Sequence, residues 1–236
     1  MPLRAIVDEK YYQVATPSSV AERLVIAARD RIYDDFLRHC RPSPDDTILD
    51  VGVSDVVGNA ANVLERKYPY PERITAVGLG DCEAFRAAFP QVAYRRIEAN
   101  WPLPFEDKAF DIVTSNAVLE HVGSEQHQVA FVRELVRVAR KVFITVPNRY
   151  FPVEHHTAIP LLHFWTRTFE FACKCLGKAE WADERNLILM LRKRLAELAP
   201  EGTAPVIGYT GIVVGMFSSN LFLFMDGEAA GLRDSL

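Results

Sequence analysis

With 236 residues, 49% of them apolar and 25% charged, the chain has the size and balance of one large globular domain. A formal net charge of −4 excludes a global basic field for holding nucleic acid. The four cysteines form no CxxC pair, which excludes a ribbon-type zinc site. Cys40, Cys82, Cys173 and Cys175 are expected to be free thiols in a reducing compartment.

Residues 1–45 read as an N-terminal helical extension. Ser18 or Ser19 would cap an amphipathic run that continues through Ile32, Tyr33, Phe36 and Leu37, and Pro42 and Pro44 end it. The first ten residues lack the apolar stretch of a secretory leader. No segment reaches the ~18 uncharged apolar residues of a membrane span. A cytoplasmic location is therefore expected.

From residue 46 strands and helices alternate. Residues 47–53 predict a first strand, 57–67 a helix, 73–79 a second strand and 83–89 a short helix. Residues 92–97 predict a third strand, 110–115 a fourth, 124–140 a long amphipathic helix and 142–146 a fifth strand. Such alternation implies an α/β fold with a mostly parallel sheet. The run at 142–146 is apolar at almost every position, as a strand covered on both faces requires. Residues 161–176 and 186–198 predict two more helices, so 151–205 reads as a helical insertion or lid. Arg192-Lys193-Arg194 is expected on a solvated helix face. Residues 211–217 and 220–225, flanking Ser218-Ser219, predict an antiparallel hairpin that closes the chain.

Ligands of open α/β sheets sit beyond the carboxyl ends of the strands. The first strand ends at Asp50-Val51-Gly52-Val53-Ser54-Asp55, where Gly52 permits close backbone approach to a ligand. A dinucleotide fingerprint would need a second glycine, and Ser54 stands there instead. After the second strand Asp81 is the nearest carboxylate for ribose hydroxyls, or else a cap for the next helix. After the third, Asn100 can donate to and accept from an adenine edge, with Trp101 either on the ring or in the core. The loop after the fifth strand gathers Asn148, Arg149, Tyr150, Glu154, His155 and His156, a mixture that favours a substrate-facing role. His155 and His156 are the first candidates for a general base, with His121 behind them. Two adjacent histidines on extended chain cannot both enter one pocket.

Together these segments resemble the class I, seven-stranded, Rossmann-like S-adenosylmethionine-dependent methyltransferases, of methyltransferase type 11. The matching pieces are residues 48–52, Trp101-Pro102-Leu103-Pro104-Phe105, Phe110-Asp111-Ile112-Val113 and Leu119-Glu120-His121-Val122. The resemblance implies a three-layer domain over 46–236 whose mostly parallel seven-stranded sheet ends in an antiparallel hairpin. It implies S-adenosyl-L-methionine as cofactor, with Asp50 and Gly52 flanking the methionine part, Ser54 and Asp55 in the same cofactor-binding turn, and Asp81 at ribose. Asn100 and Trp101 would meet adenine, and Asn116 would lie under the sulfonium. It implies a small-molecule, sugar or lipid-linked acceptor. The net charge argues for no nucleic-acid partner, and the aromatics Phe164, Trp165, Phe169 and Phe171 would serve as a lid, a dimer contact or a peripheral membrane contact for a lipid-linked substrate, so a monomer or homodimer is expected. Some relatives bind a divalent metal through Glu-x-x-Glu-His after the fourth strand. Here Ala117 replaces the first glutamate, and no metal is assigned. Two readings compete: a noncatalytic or weakly cofactor-binding protein of the same fold, and a nicotinamide-dependent oxidoreductase.

Overall fold

The computed structural model describes residues 20–58, 60–99 and 102–227. Asn100, Trp101 and the Ser18/Ser19 cap lie outside the described residues. Seven strands form one sheet: β1 (Ile48–Val51), β2 (Ile74–Gly78), β3 (Ala93–Arg96), β4 (Phe110–Asn116), β5 (Ala139–Pro147), β6 (Val206–Val214) and β7 (Phe217–Asp226). Their order is β3-β2-β1-β4-β5-β7-β6. The first five are parallel, and β7 pairs antiparallel with both β5 and β6. This is the expected three-layer α/β architecture with its closing hairpin. The connections between parallel strands carry α2 (Val63–Lys67), α3 (Glu83–Ala88) and α4 (Glu125–Val138).

The period of two along each strand splits the core into two layers. Ile48, Ile112, Phe143 and Phe222 face α2, α3 and the first helix, α1 (Val20–Cys40), which brings Ile32, Phe36 and Cys40. Their neighbours Leu49, Val113, Ile144 and Leu223 face α4 and α6 (Arg192–Glu197), meeting Val132, Leu135 and Leu195. Asp50 shares the parity of Ile48, so its side chain belongs to the α1/α2 layer. Helix α1 packs on β5, β6 and β7, and its His39 ring lies 4.6 Å from that of Phe222. Among the described residues no helix is long and apolar enough to cross a membrane.

Local hydrogen bonds decide where the elements differ from expectation. Helix α4 starts where expected: Ser124 Oγ accepts from the His127 N–H at 3.2 Å. Ser124→Ala should cost about 1 kcal/mol, a fall of about 2–4 °C in melting temperature for a chain of this size. An unchanged melt would show that the cap is replaced by solvent. The helix expected over 57–67 begins only at Val63. The Asn62 amide donates to the carbonyls of Ser54 and Val56 at 2.9 and 3.2 Å, pinning an irregular loop in place of two helical turns. The helix expected over 186–198 is confined to α6, because two backbone bonds draw the chain before it straight: Ile188 N–H to Glu120 O and Arg149 N–H to Met190 O. Arg192 and Lys193 of the basic triplet are exposed, whereas Arg194 donates to the buried Gln128 side chain at 2.9 Å. The stretch 161–176 is a 3₁₀ turn (Leu162–Phe164) followed by α5 (Thr166–Cys175), with Phe169 buried and Trp165 and Phe171 exposed.

The hairpin turns at Gly215-Met216, not at Ser218-Ser219. Gly215 takes φ +59°, while both serines lie inside β7 and are buried. Ser219 Oγ accepts from the Ile212 N–H at a bulge in β6. Gly211 at that bulge has φ +78°, and a Cβ there would lie 2.2 Å from Ser219 Oγ.

Candidate functional site

The carboxyl ends of β1, β2, β4 and β5 converge on a rim of ionisable side chains. At the end of β1 the chain reverses at Gly52, whose φ of +98° suits glycine. The N–H groups of Gly52 and Val53 both donate to Val77 O. Val118 from the loop after β4 lies directly over Gly52, where an added Cβ would come within 2.3 Å of Val118 Cγ2. Ser54 and Asp55 are engaged within the turn. Ser54 Oγ accepts from Val56 N–H at 3.0 Å, and Asp55 accepts from Phe85 N–H at 2.9 Å in the first turn of α3.

Asp50 faces Glu65 of α2 across the α1/α2 layer. Glu65 is buried, and neither carboxylate oxygen receives a hydrogen bond from a donor group. Burial pushes the Asp50 carboxyl up to about 6, and burial together with Asp50 raises that of Glu65. Two carboxyls in contact share such a space by keeping a proton between them. The half-buried Arg29 of α1 is the cation felt by Asp50, and Glu120 feels it too. No reading of the sequence singled out Glu65 or Arg29. Arg29 lies on α1 and Glu65 on α2, and packing of the two helices brings them to the end of β1.

After β2, Asp81 is exposed and pairs with Arg96 at 2.9 Å; its carboxylate is open to solvent beside the turn. Asn116 ends β4 and accepts from Thr145 Oγ1 of β5, which places it between the two central strands.

The histidines sort by geometry. His121, on the 3₁₀ turn Leu119–His121, and His156, in the loop after β5, meet with their Nε2 atoms 3.1 Å apart and their rings nearly perpendicular. His155, one residue away, is exposed and packs on Phe151 instead. The expected divergence of 155 and 156 holds, and the partner of His156 lies 35 residues earlier. Each ring of the pair is held from behind. His121 Nδ1 meets Asn186 O at 2.7 Å, and His156 Nδ1 meets Glu154 Oε1 at 2.8 Å. Burial and the neighbouring His156 lower His121 to about 4. Glu154 is buried, yet hydrogen bonds from His156 and Thr157 hold its carboxyl down to about 2. Its oxygens are thus spent on the loop itself, not offered to a ligand. Trp181 packs on His156 at 4.9 Å. Glu120, beside the pair, is 1% exposed, and burial pushes it up to about 7.

Beside this group lies a small cleft lined by Glu120, Asn148, Arg149, His155, His163 and the segment 187–190. Arg149 donates to His163 O and Thr166 Oγ1. Asn148 is buried, donating to Ser218 O and accepting from Tyr150 N–H. Tyr150 is half exposed, its ring edge-on to Phe164. Asn148, Arg149 and His155 all line the cleft, and Asn148 also ties β5 to β7.

Residues 49–142 match the methyltransferase domain family. No curated protein matches the chain. Among solved structures, an S-adenosylmethionine-dependent methyltransferase from Methanosarcina mazei aligns at 16% identity and TM-score 0.53, over 80% of this chain and 96% of that one. Magnesium protoporphyrin IX methyltransferase from Synechocystis PCC 6803 aligns at 14% and 0.53, over 92% and 90%. The methyltransferase domain of bacterial CtHen1-CN aligns at 15% and 0.52, over 82% and 95%. The chain has the fold of the class I S-adenosylmethionine-dependent methyltransferases.

Proposed function

We propose that this chain, whose residues 49–142 match the methyltransferase domain family, transfers a methyl group from S-adenosylmethionine to a small polar acceptor. The observation that carries this reading is the family match, which spans β1 to β5 and so contains the turn at Gly52 and the Glu120-His121 rim. When bound, the cofactor supplies an electrophilic methyl group and leaves as a thioether. The residues at the end of β1 fit its methionine portion. The Asp50–Glu65 pair, sharing one proton, offers a negative charge to an ammonium, and Arg29 offers positive charge to a carboxylate. Asp81 has an exposed carboxylate for ribose hydroxyls.

In-line displacement needs donor and acceptor aligned and water removed. Arg149 and His155 line the small cleft beside Glu120 and the histidine pair, and are the polar side chains we assign to the acceptor. An oxygen or nitrogen acceptor sheds its proton as the new bond to carbon forms. The His121–His156 pair takes that proton, with ionised Glu154 stabilising the charge on His156. Exposed Trp165, Phe171 and Leu176 on and after α5 would favour a lipid-linked acceptor at a membrane surface. Vesicle sedimentation that fails to bring the chain down removes that option.

Calorimetry with S-adenosylmethionine, S-adenosylhomocysteine and NAD tests the reading. Saturable binding of both adenosyl ligands and none of NAD is expected, and Asp50→Asn should weaken the adenosyl ligands at least about tenfold, or ~1.4 kcal/mol. Failure of both adenosyl ligands to bind at millimolar concentration sinks it. A fold that keeps the cofactor without turnover is favoured by Val118 over Gly52 and by the engagement of Ser54 and Asp55. Binding without methyl transfer to any compound in a labelled-methyl screen would select that reading.

A further inference from the structure

We infer that the cleft beside the histidine pair recognises a primary ammonium group, held by the Glu120 carboxylate and by Nδ1 of His163. Most polar groups on the cleft wall are already spent. Arg149 donates to His163 O and Thr166 Oγ1, Asn148 joins Ser218 O and Tyr150 N–H, and Glu154 is held by His156 and Thr157. Two other lining side chains, Glu120 and His163, are not. Glu120 is 1% exposed, and no other described residue donates a hydrogen bond to either of its oxygens. His163 is 1% exposed as well, and its Nε2 meets Phe151 O at 2.8 Å. A carbonyl only accepts, so Nε2 carries the hydrogen. Nδ1 of the neutral ring is then a lone pair with no partner among the described residues.

Three buried acceptor atoms thus belong to the walls of one cleft, and a buried acceptor without a donor is costly. The number and charge of the donors decide what satisfies them. A hydroxyl brings one hydrogen and a water two. A proton on Glu120 satisfies one oxygen and leaves the other bare, along with His163 Nδ1. A primary ammonium brings three donors, together with the positive charge that a buried carboxylate needs beside it. The charge of Arg29 acts on Glu120 through space, without a hydrogen bond to it.

Size points the same way. The enclosed part of the cleft has room for one water-sized group, about 10 Å³. An –NH₃⁺ group fills that space, whereas a trimethylammonium does not. Pro147 and residues 187–190 supply an apolar lining for the carbon attached to the nitrogen. The site narrows the polar acceptor to a molecule bearing a primary amine, and it makes His163 a specificity-determining residue. That the amine belongs to the methyl acceptor rests on the function proposed above, whereas ammonium binding can be read without cofactor or turnover.

The experiment uses the nitrogen-15-labelled full chain near neutral pH, with ethanolamine, ethylene glycol, glycolate and choline as probes. They share a hydroxylated two-carbon skeleton and differ in head group. Ethanolamine should bind saturably with a dissociation constant of roughly 1–10 mM. It should move the Nδ1 resonance of His163, which is identified by its loss in His163→Gln. The other three probes should bind at least about tenfold more weakly. Calorimetry follows affinity in the variants. Glu120→Gln should weaken ethanolamine at least about tenfold, by removing the charged partner. His163→Gln, whose amide can keep the donor to Phe151 O, should weaken it about three- to tenfold. Glu201→Gln, which removes an exposed carboxylate elsewhere, should leave it unchanged. Absence of saturable ethanolamine binding below about 0.1 M overturns the inference. So does equal affinity for ethylene glycol or choline, or binding that survives Glu120→Gln. S-adenosylhomocysteine is titrated in parallel. If it binds and ethanolamine does not, this inference alone falls. If ethanolamine binds and S-adenosylhomocysteine does not, the ammonium site stands and methyl transfer falls.

Discussion

Replacing His156 with glutamine should lower kcat for methyl transfer by about 10²–10⁴-fold, the range associated with a positioned general acid or base. The dissociation constant for S-adenosylhomocysteine should stay within roughly twofold, about 0.4 kcal/mol. His156 lies on the rim formed by the loop after β5, whereas the groups assigned to the methionine moiety lie at the end of β1. The substitution removes the contact with His121 and leaves Glu154 a poorer partner, while the glutamine fills much of the same volume. Glu154→Gln should produce a smaller loss and move the pH–rate profile, because the stabilisation of an imidazolium would weaken while the ring stays in place. His155→Gln should change the rate little by comparison. Labelled-methyl kinetics paired with calorimetry separate the two constants. A His156→Gln enzyme with wild-type kcat would remove the histidine pair from the mechanism.

Glu65→Gln should make the protein more stable in mild alkali and leave it nearly unchanged in mild acid. The sign follows from the direction of the shifts. Both carboxyls have folded pKa values raised above their unfolded ones, Asp50 to about 6. Such groups favour the folded state below the unfolded pKa, near pH 4, and that advantage is lost as pH rises through the folded values. Wild-type stability should therefore fall from about pH 4 through pH 6 and beyond as this pair is forced to ionise. Glutamine removes one of the two charges. A rise in melting temperature of about 2–4 °C for each kcal/mol is expected at pH 8, with little change at pH 5. Calorimetric melts at the two pH values check this, and equal destabilisation at both would show that Glu65 is held by contacts other than charge. The same variant should bind the adenosyl ligands less tightly, a gain in stability set against function.

Much of the fold is legible because burial on both faces leaves a signature in the strands themselves. Residues 142–146 are apolar enough to declare a covered strand, and Ser124 marks the start of its helix. The misjudged stretches have a common cause. Residues 57–62 and 186–191 carry helical spacing, but side-chain and backbone hydrogen bonds to distant segments overrule it, through Asn62 in one case and Glu120 and Arg149 in the other. The turn at Gly215-Met216 was hidden by a pair of serines that look turn-like and are buried strand residues. In the site, the positions of Asp50 at the end of β1 and Gly52 just after it follow from the sequence pattern. The pairing of His121 with His156 does not, because no periodicity links positions 35 apart. Glu154 was read as facing substrate from its composition, and the structure spends it on Thr157 and His156 instead.

Arg29 gives this division a further meaning. The stretch that matches the methyltransferase domain model runs from 49 to 142, and it supplies the strands from β1 to the start of β5, the turn and Glu120-His121. The guanidinium at one end of the site comes from before it, and Glu154 and His156 at the other end come from after it. Groups at both ends of the site are therefore encoded outside the matched stretch, while Asp50, Gly52, Glu65 and Glu120-His121 lie within it. Two proteins could share the middle portion closely and differ in acceptor and charge requirement, because drift in the flanks would rewrite the ends of the site without disturbing the scaffold between them.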